Sequence, residues 1–323
     1  VEALETRGGR VLVRAEVKEV IVEGGAARGV RMSDGTRIEA PLVVCASGFR
    51  HTASTLLAPA AASAAGLDGG SLRTGQSDGF LMCNVALQGS AADLGIDCTN
   101  LWLQPAGSPT GFSLDEGLRN YFADPLGVGD AQVPLMLTFP SAKDRDWAKT
   151  SPGESTCQIL AVAPWAWFEK HQAQERPAPR NAPPKVCRED QEDYDALKAR
   201  WADLCLAALH NHYPRTRGRV AFANVSTPLT IENYLPSGRG SAIGLDVTPA
   251  RYVDEDELRR LDMRTRLQGL WLTGQDVLMC GQPLAQLAGI ITAVRIAGPL
   301  RAAGLVWRTI GFAVFARHER RHH

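Results

Sequence analysis

The residues best suited to chemistry gather in one stretch: Thr273-Gly274-Gln275-Asp276, then Cys280-Gly281-Gln282-Pro283. Ahead of it Leu270-Trp271-Leu272 reads as a buried strand, and behind it residues 284–297 read as a helix stopped by Gly298-Pro299. Gly274 permits a sharp exit from the strand and close approach of another backbone. The Asp276 carboxylate can accept hydrogen bonds from cofactor hydroxyls or from nearby backbone N–H groups. Pro283 suits the first turn of a helix. The free N–H groups at such an end favour a neighbouring anion by ~0.3–2 kcal/mol. An ordinary strand–turn–helix with a capping aspartate accounts for these residues equally well.

Other reactive side chains are less suggestive. The seven cysteines, Cys45, Cys83, Cys98, Cys157, Cys187, Cys205 and Cys280, include no CxxC pair. Several sit in apolar stretches, so they read as buried free thiols of a protein kept in a reducing, intracellular compartment. His210 and His212 close a predicted helix without i,i+4 spacing or a third ligand, so no metal site is expected. Lys plus Arg and Asp plus Glu number 35 each, so no overall field favours nucleic acid.

The elements that must position the Gly274–Gly281 stretch fall into blocks. Residues 1–5 read as the last turns of a helix already under way, which suggests a truncated chain, and Gly8-Gly9 end it. Val11, Val13, Ala15 and Val17, alternating with Arg14, Glu16 and Lys18, read as a half-buried strand. The turns Glu23-Gly24-Gly25 and Ser33-Asp34-Gly35 then make a three-stranded meander with residues 27–32 and 36–40. Leu42-Val43-Val44-Cys45-Ala46 is uniformly apolar, as in a parallel strand buried on both faces, and empties into Ser47-Gly48.

Residues 51–225 differ in texture. An Ala-rich stretch at 53–65 precedes strand candidates at 80–87, 133–139 and 156–162. A loop with four prolines at 174–184 follows, then an amphipathic helix through Tyr194, Leu197, Trp201, Leu204 and Ala208 that Pro214 stops. From 226 Gly-rich turns and buried strands return, beginning with Ser226-Thr227-Pro228-Leu229-Thr230. The fold class expected is α/β with mixed α+β character. A nucleotide-type domain (1–50 and 226–303) is interrupted by a substrate or cap domain (51–225), and a tail (304–323) follows. The tail is basic and aromatic, with Trp307, Phe312 and Phe315, and could rest on an anionic membrane surface. The first residues hold no signal-peptide core, and no run is long enough to span a bilayer.

These motifs resemble the carboxyl-terminal flavin motif of the phytoene desaturase and carotenoid isomerase superfamily of FAD-dependent oxidoreductases. The closer resemblance is to its retinol saturase branch. It rests also on Gly89-Ser90-Ala91-Ala92-Asp93-Leu94-Gly95, Phe139-Pro140-Ser141-Ala142-Lys143-Asp144, Pro152-Gly153-Glu154-Ser155-Thr156-Cys157, Ala163-Pro164-Trp165-Ala166-Trp167-Phe168 and Ser226–Thr230. The resemblance runs from Gly8 to about Leu300. It implies an FAD/NAD(P)-binding-type fold, FAD as cofactor, NAD or NADP as candidate reductants, and an isoprenoid polyene substrate, retinoid or carotenoid. It also implies that reduced flavin delivers a hydride to a conjugated alkene. By resemblance the cofactor-binding residues are Val17 (beside adenine), Ser47, Gly48, Gly274, Gln275, Asp276, Gly281 and Gln282. Tyr234 and Thr230 are candidate proton donors, and Arg239 could orient substrate or flavin.

The chain departs from the family in one respect. GxGxxG, the pattern whose glycines and helix end hold a dinucleotide pyrophosphate, does not occur in it. The expected domain therefore lacks its N-terminal βαβ unit. Two alternatives stand beside a retinoid reductase: a carotenoid isomerase or desaturase, and an inactive fragment.

Overall fold

The computed structural model describes residues 1–68, 72–105, 113–129, 132–172, 190–235, 238–298 and 303. The proline loop at 174–184, Cys187, Pro236, Ser237, Pro299 and the tail 304–323 lie outside the described residues. The chain divides into two compact units: Val1–Ser77 together with Ile243 onward, and Asp78–Ala242. The changes in sequence texture near 50 and 226 fall some distance from these boundaries.

In the first unit a short helix, α1 (Glu2–Glu5), precedes the meander β1 (Val17–Glu23), β2 (Ala26–Met32) and β3 (Arg37–Glu39). The β1–β2 turn has φ of 59° and 74° at Gly24 and Gly25, left-handed values that glycine adopts without steric cost. The expected strand over Val11, Val13 and Ala15 is not formed. Arg14 takes φ 54°, and Val17 already pairs with Met32, the last residue of β2, so among the described residues the preceding ones have no partner strand. Val13 is 80% exposed.

Strand β4 (Val43–Cys45) pairs in parallel with β10 (Leu270–Leu272), Val43 opposite Leu270 and Cys45 opposite Leu272. Burial on both faces is corrected here. Val43 and Cys45 enter the core, whereas Val44 is 43% exposed, because among the described residues only one face of this pair is covered. After β4 come α2 (Phe49–His51), a π turn at Thr52–Leu56 and α3 (Pro59–Ala65). The chain re-enters this unit through α10 (Pro249–Val253), α11 (Glu255–Arg260), β10 and the long helix α12 (Gln282–Ala297).

The second unit is built on one antiparallel sheet in the order β6-β7-β8-β5-β9: β5 (Gly79–Gln88), β6 (Leu101–Leu103), β7 (Leu135–Thr138), β8 (Glu154–Ala163) and β9 (Val220–Ser226). Its helices are α4 (Ala91–Leu94), α5 (Leu114–Ala123), α6 (Pro140–Lys143), α7 (Trp147–Thr150), α8 (Gln191–His212) and α9 (Pro228–Tyr234). Strict alternation in β5 and β8 sends Leu81, Cys83, Val85, Cys157 and Ile159 into a core shared with Trp201, Leu204, Cys205 and Leu209 of α8. Cys45, Cys83, Cys157 and Cys205 are buried free thiols, and burial pushes the Cys157 thiol up to about 12. Cys98 is exposed. The expected strand at 226–230 is corrected. Ser226 ends β9, Thr227 caps α9, and Pro228 occupies the first helical turn, where a missing N–H costs nothing.

One buried acid braces the first unit. Glu257 of α11 is 2% exposed and accepts from Arg73 N (2.8 Å), Thr74 N (3.1 Å) and Thr74 Oγ1 (2.7 Å). Burial alone raises its pKa, but these three bonds outweigh burial and hold it below the usual glutamate value. A depressed carboxylate contributes stability above its unfolded pKa, and that contribution vanishes as pH falls through the folded value. Glu257→Gln should therefore lower the thermal midpoint at pH 7, and the gap should narrow as pH falls below the ordinary glutamate value of about 4.3 and close below the lower folded value. Midpoints of both proteins measured across that range check this.

Candidate functional site

The carboxylate of Asp276 organises the turn expected to carry chemistry. It is 3% exposed, and both oxygens receive backbone N–H groups from distant segments: Phe49 N donates to Oδ2 (2.7 Å) and Leu245 N to Oδ1 (2.9 Å). The side chain thus joins the β10 exit to the β4 exit and to the chain re-entering at Ile243. Acceptance from backbone N–H, one of the two roles its type allowed, is observed.

Two glycines make this approach possible. A Cβ on Gly244, where φ is 74°, would lie 2.1 Å from Asp276 Oδ1, and one on Gly48, where φ is 94°, would lie 3.2 Å from Oδ2. A guanidinium closes the knot. Arg251, 1% exposed, donates through Nη1 to Leu245 O (2.8 Å) and Asp246 O (3.2 Å), and through Nη2 to Gln275 O (2.8 Å) and Asp276 O (2.9 Å). A buried cation and a buried anion so share one knot, each satisfied by main-chain groups. Arg251 and Gly244 escape a reading of the sequence, because an arginine in a short helix and a lone glycine carry no pattern.

The other candidates are distributed as follows. Gly274 has φ 95°, and Gly281, with φ 101°, caps the N-terminus of α12, where an added Cβ would meet nothing within 4 Å. Gln282, the first residue of α12, is exposed. Thr292 Oγ1 back-bonds to Ala288 O at 2.8 Å and lies 3.1 Å from Thr273 Oγ1, which ties α12 to the end of β10. Along the rest of α12 the apolar side chains Leu287 and Ile290 are 42% and 57% exposed. Ser47 is exposed, with its Oγ 3.4 Å from Thr52 Oγ1, and Val17, which opens β1, packs against the first unit's core. Val17, Ser47, Gly48, Gly274, Gln275, Asp276, Gly281 and Gln282 all belong to the first unit.

Thr230, Tyr234 and Arg239 belong to the second unit. Thr230 Oγ1 accepts from Thr227 N (3.2 Å) as part of the α9 cap, and Thr227 Oγ1 lies 2.6 Å from Tyr194 Oη. Tyr234 is 44% exposed at the end of α9. Arg239 has φ 57° between Gly238 and Gly240 and is exposed. His210 Nδ1 lies 2.8 Å from Thr216 Oγ1, and among the described residues no three metal-ligating side chains cluster.

No protein-family model matches the chain. A zebrafish (Danio rerio) protein described as all-trans-retinol 13,14-reductase is 27% identical over 300 residues, which cover 91% of this chain and 46% of that protein. The human (Homo sapiens) protein of the same description is 28% identical over 288 residues, 87% of this chain and 44% of its own length. A second zebrafish protein, described as an inactive all-trans-retinol 13,14-reductase, is 26% identical over 306 residues. A solved oxidoreductase from Methanosarcina mazei aligns with TM-score 0.44 and 14% identity, covering 90% of this chain and 50% of that one. The sequence relatives share the retinol 13,14-reductase description, one of them as an inactive form. The chain is similar in sequence to all-trans-retinol 13,14-reductases, and it spans less than half the length of those it matches.

Because two buried N–H groups depend on one carboxylate, substitution should be graded. Asp276→Asn keeps one acceptor oxygen and should cost about 1–3 kcal/mol, and Asp276→Ala, which keeps none, about twice that. Denaturant unfolding of the two variants checks the order, and equal losses would contradict it.

Proposed function

We propose that this chain is part of an FAD-dependent oxidoreductase that saturates a double bond of a retinoid. The carrying observation is that the similarity to retinol reductases extends over 86–91% of the chain and so through both units, not through the glycine-rich turn alone.

The residues at that turn fit a flavin, with one change of role. The N-terminus of α12 is open at Gly281, and its free N–H groups would stabilise an anionic ring edge by ~0.3–2 kcal/mol. Gly274 and Ser47 lie at the ends of adjacent parallel strands, where α/β sheets take their ligands. Asp276 is committed to Phe49 N and Leu245 N, so it holds the turn in shape rather than touching the cofactor. When bound, FAD would supply the hydride, with NAD or NADP as its reductant. The proton would come from this chain. Tyr234 Oη, half-exposed, suits the task better than Thr230 Oγ1, which is engaged in the helix cap.

A second reading, an inactive relative, gains support from the zebrafish protein so described. The test supplies the purified chain with excess FAD, a chemical reductant and all-trans-retinol. Expected is a product two hydrogens heavier, formed at least about ten-fold more slowly in Tyr234→Phe, as for a lost general acid. Retinol left unchanged while FAD quenching shows the cofactor bound would favour the inactive reading. A carotenoid isomerised or desaturated in place of retinol would point to the other branch of the superfamily.

A further inference from the structure

The second face of the five-stranded sheet departs from what a half-solvated antiparallel sheet should show. Such a face is normally polar. Here the residues turned away from the α8 core run, across paired positions, from Trp102 through Met136 and Leu160 to Met82, with Val162 opposite Phe80 beside them. All six are partly or largely exposed, Trp102 by 64%. Among the described residues, the β6–β7–β8 end of this row borders a cleft of ≈ 430 Å³, closed on one side by Leu118 and Phe122 of α5. Contiguous exposed apolar surface of this kind marks a binding site, and the volume is that of a small-molecule pocket.

Two residues along the strands the character switches. Gln158 pairs with Asn84, and Asn84 with Asn224, to form a transverse row of amides. Gln158 Nε2 donates to Asn84 Oδ1 at 3.1 Å. This leaves Asn84 Nδ2 as a donor and Gln158 Oε1 as an acceptor, with no further hydrogen bond among the described residues. A hydroxyl both donates and accepts, so it satisfies both, whereas a carboxylate offers acceptors only. Lys143, which reaches Thr138 opposite Gln158, has its ammonium engaged by Asn100 Oδ1 and Thr138 Oγ1. From the Val162 row to the Gln158 row the strand rises about 13 Å, at 3.2–3.4 Å per residue.

We propose that this face binds an elongated apolar alcohol, its hydrocarbon across Phe80, Met82, Trp102, Met136, Leu160 and Val162, and its hydroxyl between Asn84 and Gln158. The assignment rests on the retinoid reading, which it makes specific: this is where such a substrate lies in the second unit, and the amide row is what selects the alcohol.

The test titrates the full chain with all-trans-retinol, followed by retinol fluorescence, and with the hydrocarbon of the same skeleton lacking the hydroxyl. Leu160→Arg should weaken both ligands at least about ten-fold, and the milder Met136→Ala about three-fold each. The double variant Asn84→Leu, Gln158→Leu should weaken retinol about five-fold while leaving the hydrocarbon within about two-fold. Val253→Arg, at an exposed position of the first unit, should change neither. Retinol affinity unmoved by both Leu160→Arg and Met136→Ala, with native circular dichroism, would overturn the proposal. Equal losses of alcohol and hydrocarbon in the amide variant would overturn the hydroxyl assignment. The two proposals also fail separately. Retinol bound here but never reduced sinks the reductase reading alone, and retinol reduced with unchanged KM in these variants sinks this site alone.

Discussion

One carboxylate sets the geometry of the first unit. Asp276 takes an N–H from Phe49, 227 residues away in sequence, and another from Leu245, 31 residues away. Neither donor lies in a ladder that could satisfy it otherwise, and a buried N–H left unpaired costs about 1–3 kcal/mol. The exits of β4 and β10 and the segment re-entering the unit must therefore converge on one point. The short parallel pair is too small to impose this by itself, since each strand contributes only three residues.

The convergence dictates residue types around it. Gly48 and Gly244 are glycines because a side chain would collide with, or crowd, the carboxylate and because both need left-handed φ. Arg251 answers the same constraint from the opposite side. The turn's own carbonyls, from Gln275 and Asp276, point inward once the carboxylate is fixed, and a guanidinium with several donors covers them together with those of Leu245 and Asp246. With the turn so held, α12 starts from a fixed place, and Gly281 presents an open helix end. Asp276 thereby fixes the turn from which the proposed flavin contact would be made.

What could be read from the sequence was what is local. Alternation in β5 and β8, the apolar run of β10 and the Gly–Pro start of α12 each depend on near neighbours, and each formed close to its expected span. The failures arose where a distant partner decides. Among the described residues, Val11–Ala15 alternate like a strand but have no strand to pair with, and Val44 stays exposed because only one face of its sheet is covered. Glu257 and Arg251 matter through groups up to 184 residues away. The amide row Gln158–Asn84–Asn224 belongs to the same class: three polar residues in three separate strands, brought together only by register.

Amide hydrogen exchange at Phe49 and Leu245 tests the central constraint most directly. If Asp276 holds the two turns, both amides should exchange only through large-scale opening in the native protein. Both should then lose protection together in Asp276→Ala, while the β5–β8 amides keep theirs. Fast exchange of either amide in the native protein, or protection unaltered by the substitution, would contradict the account.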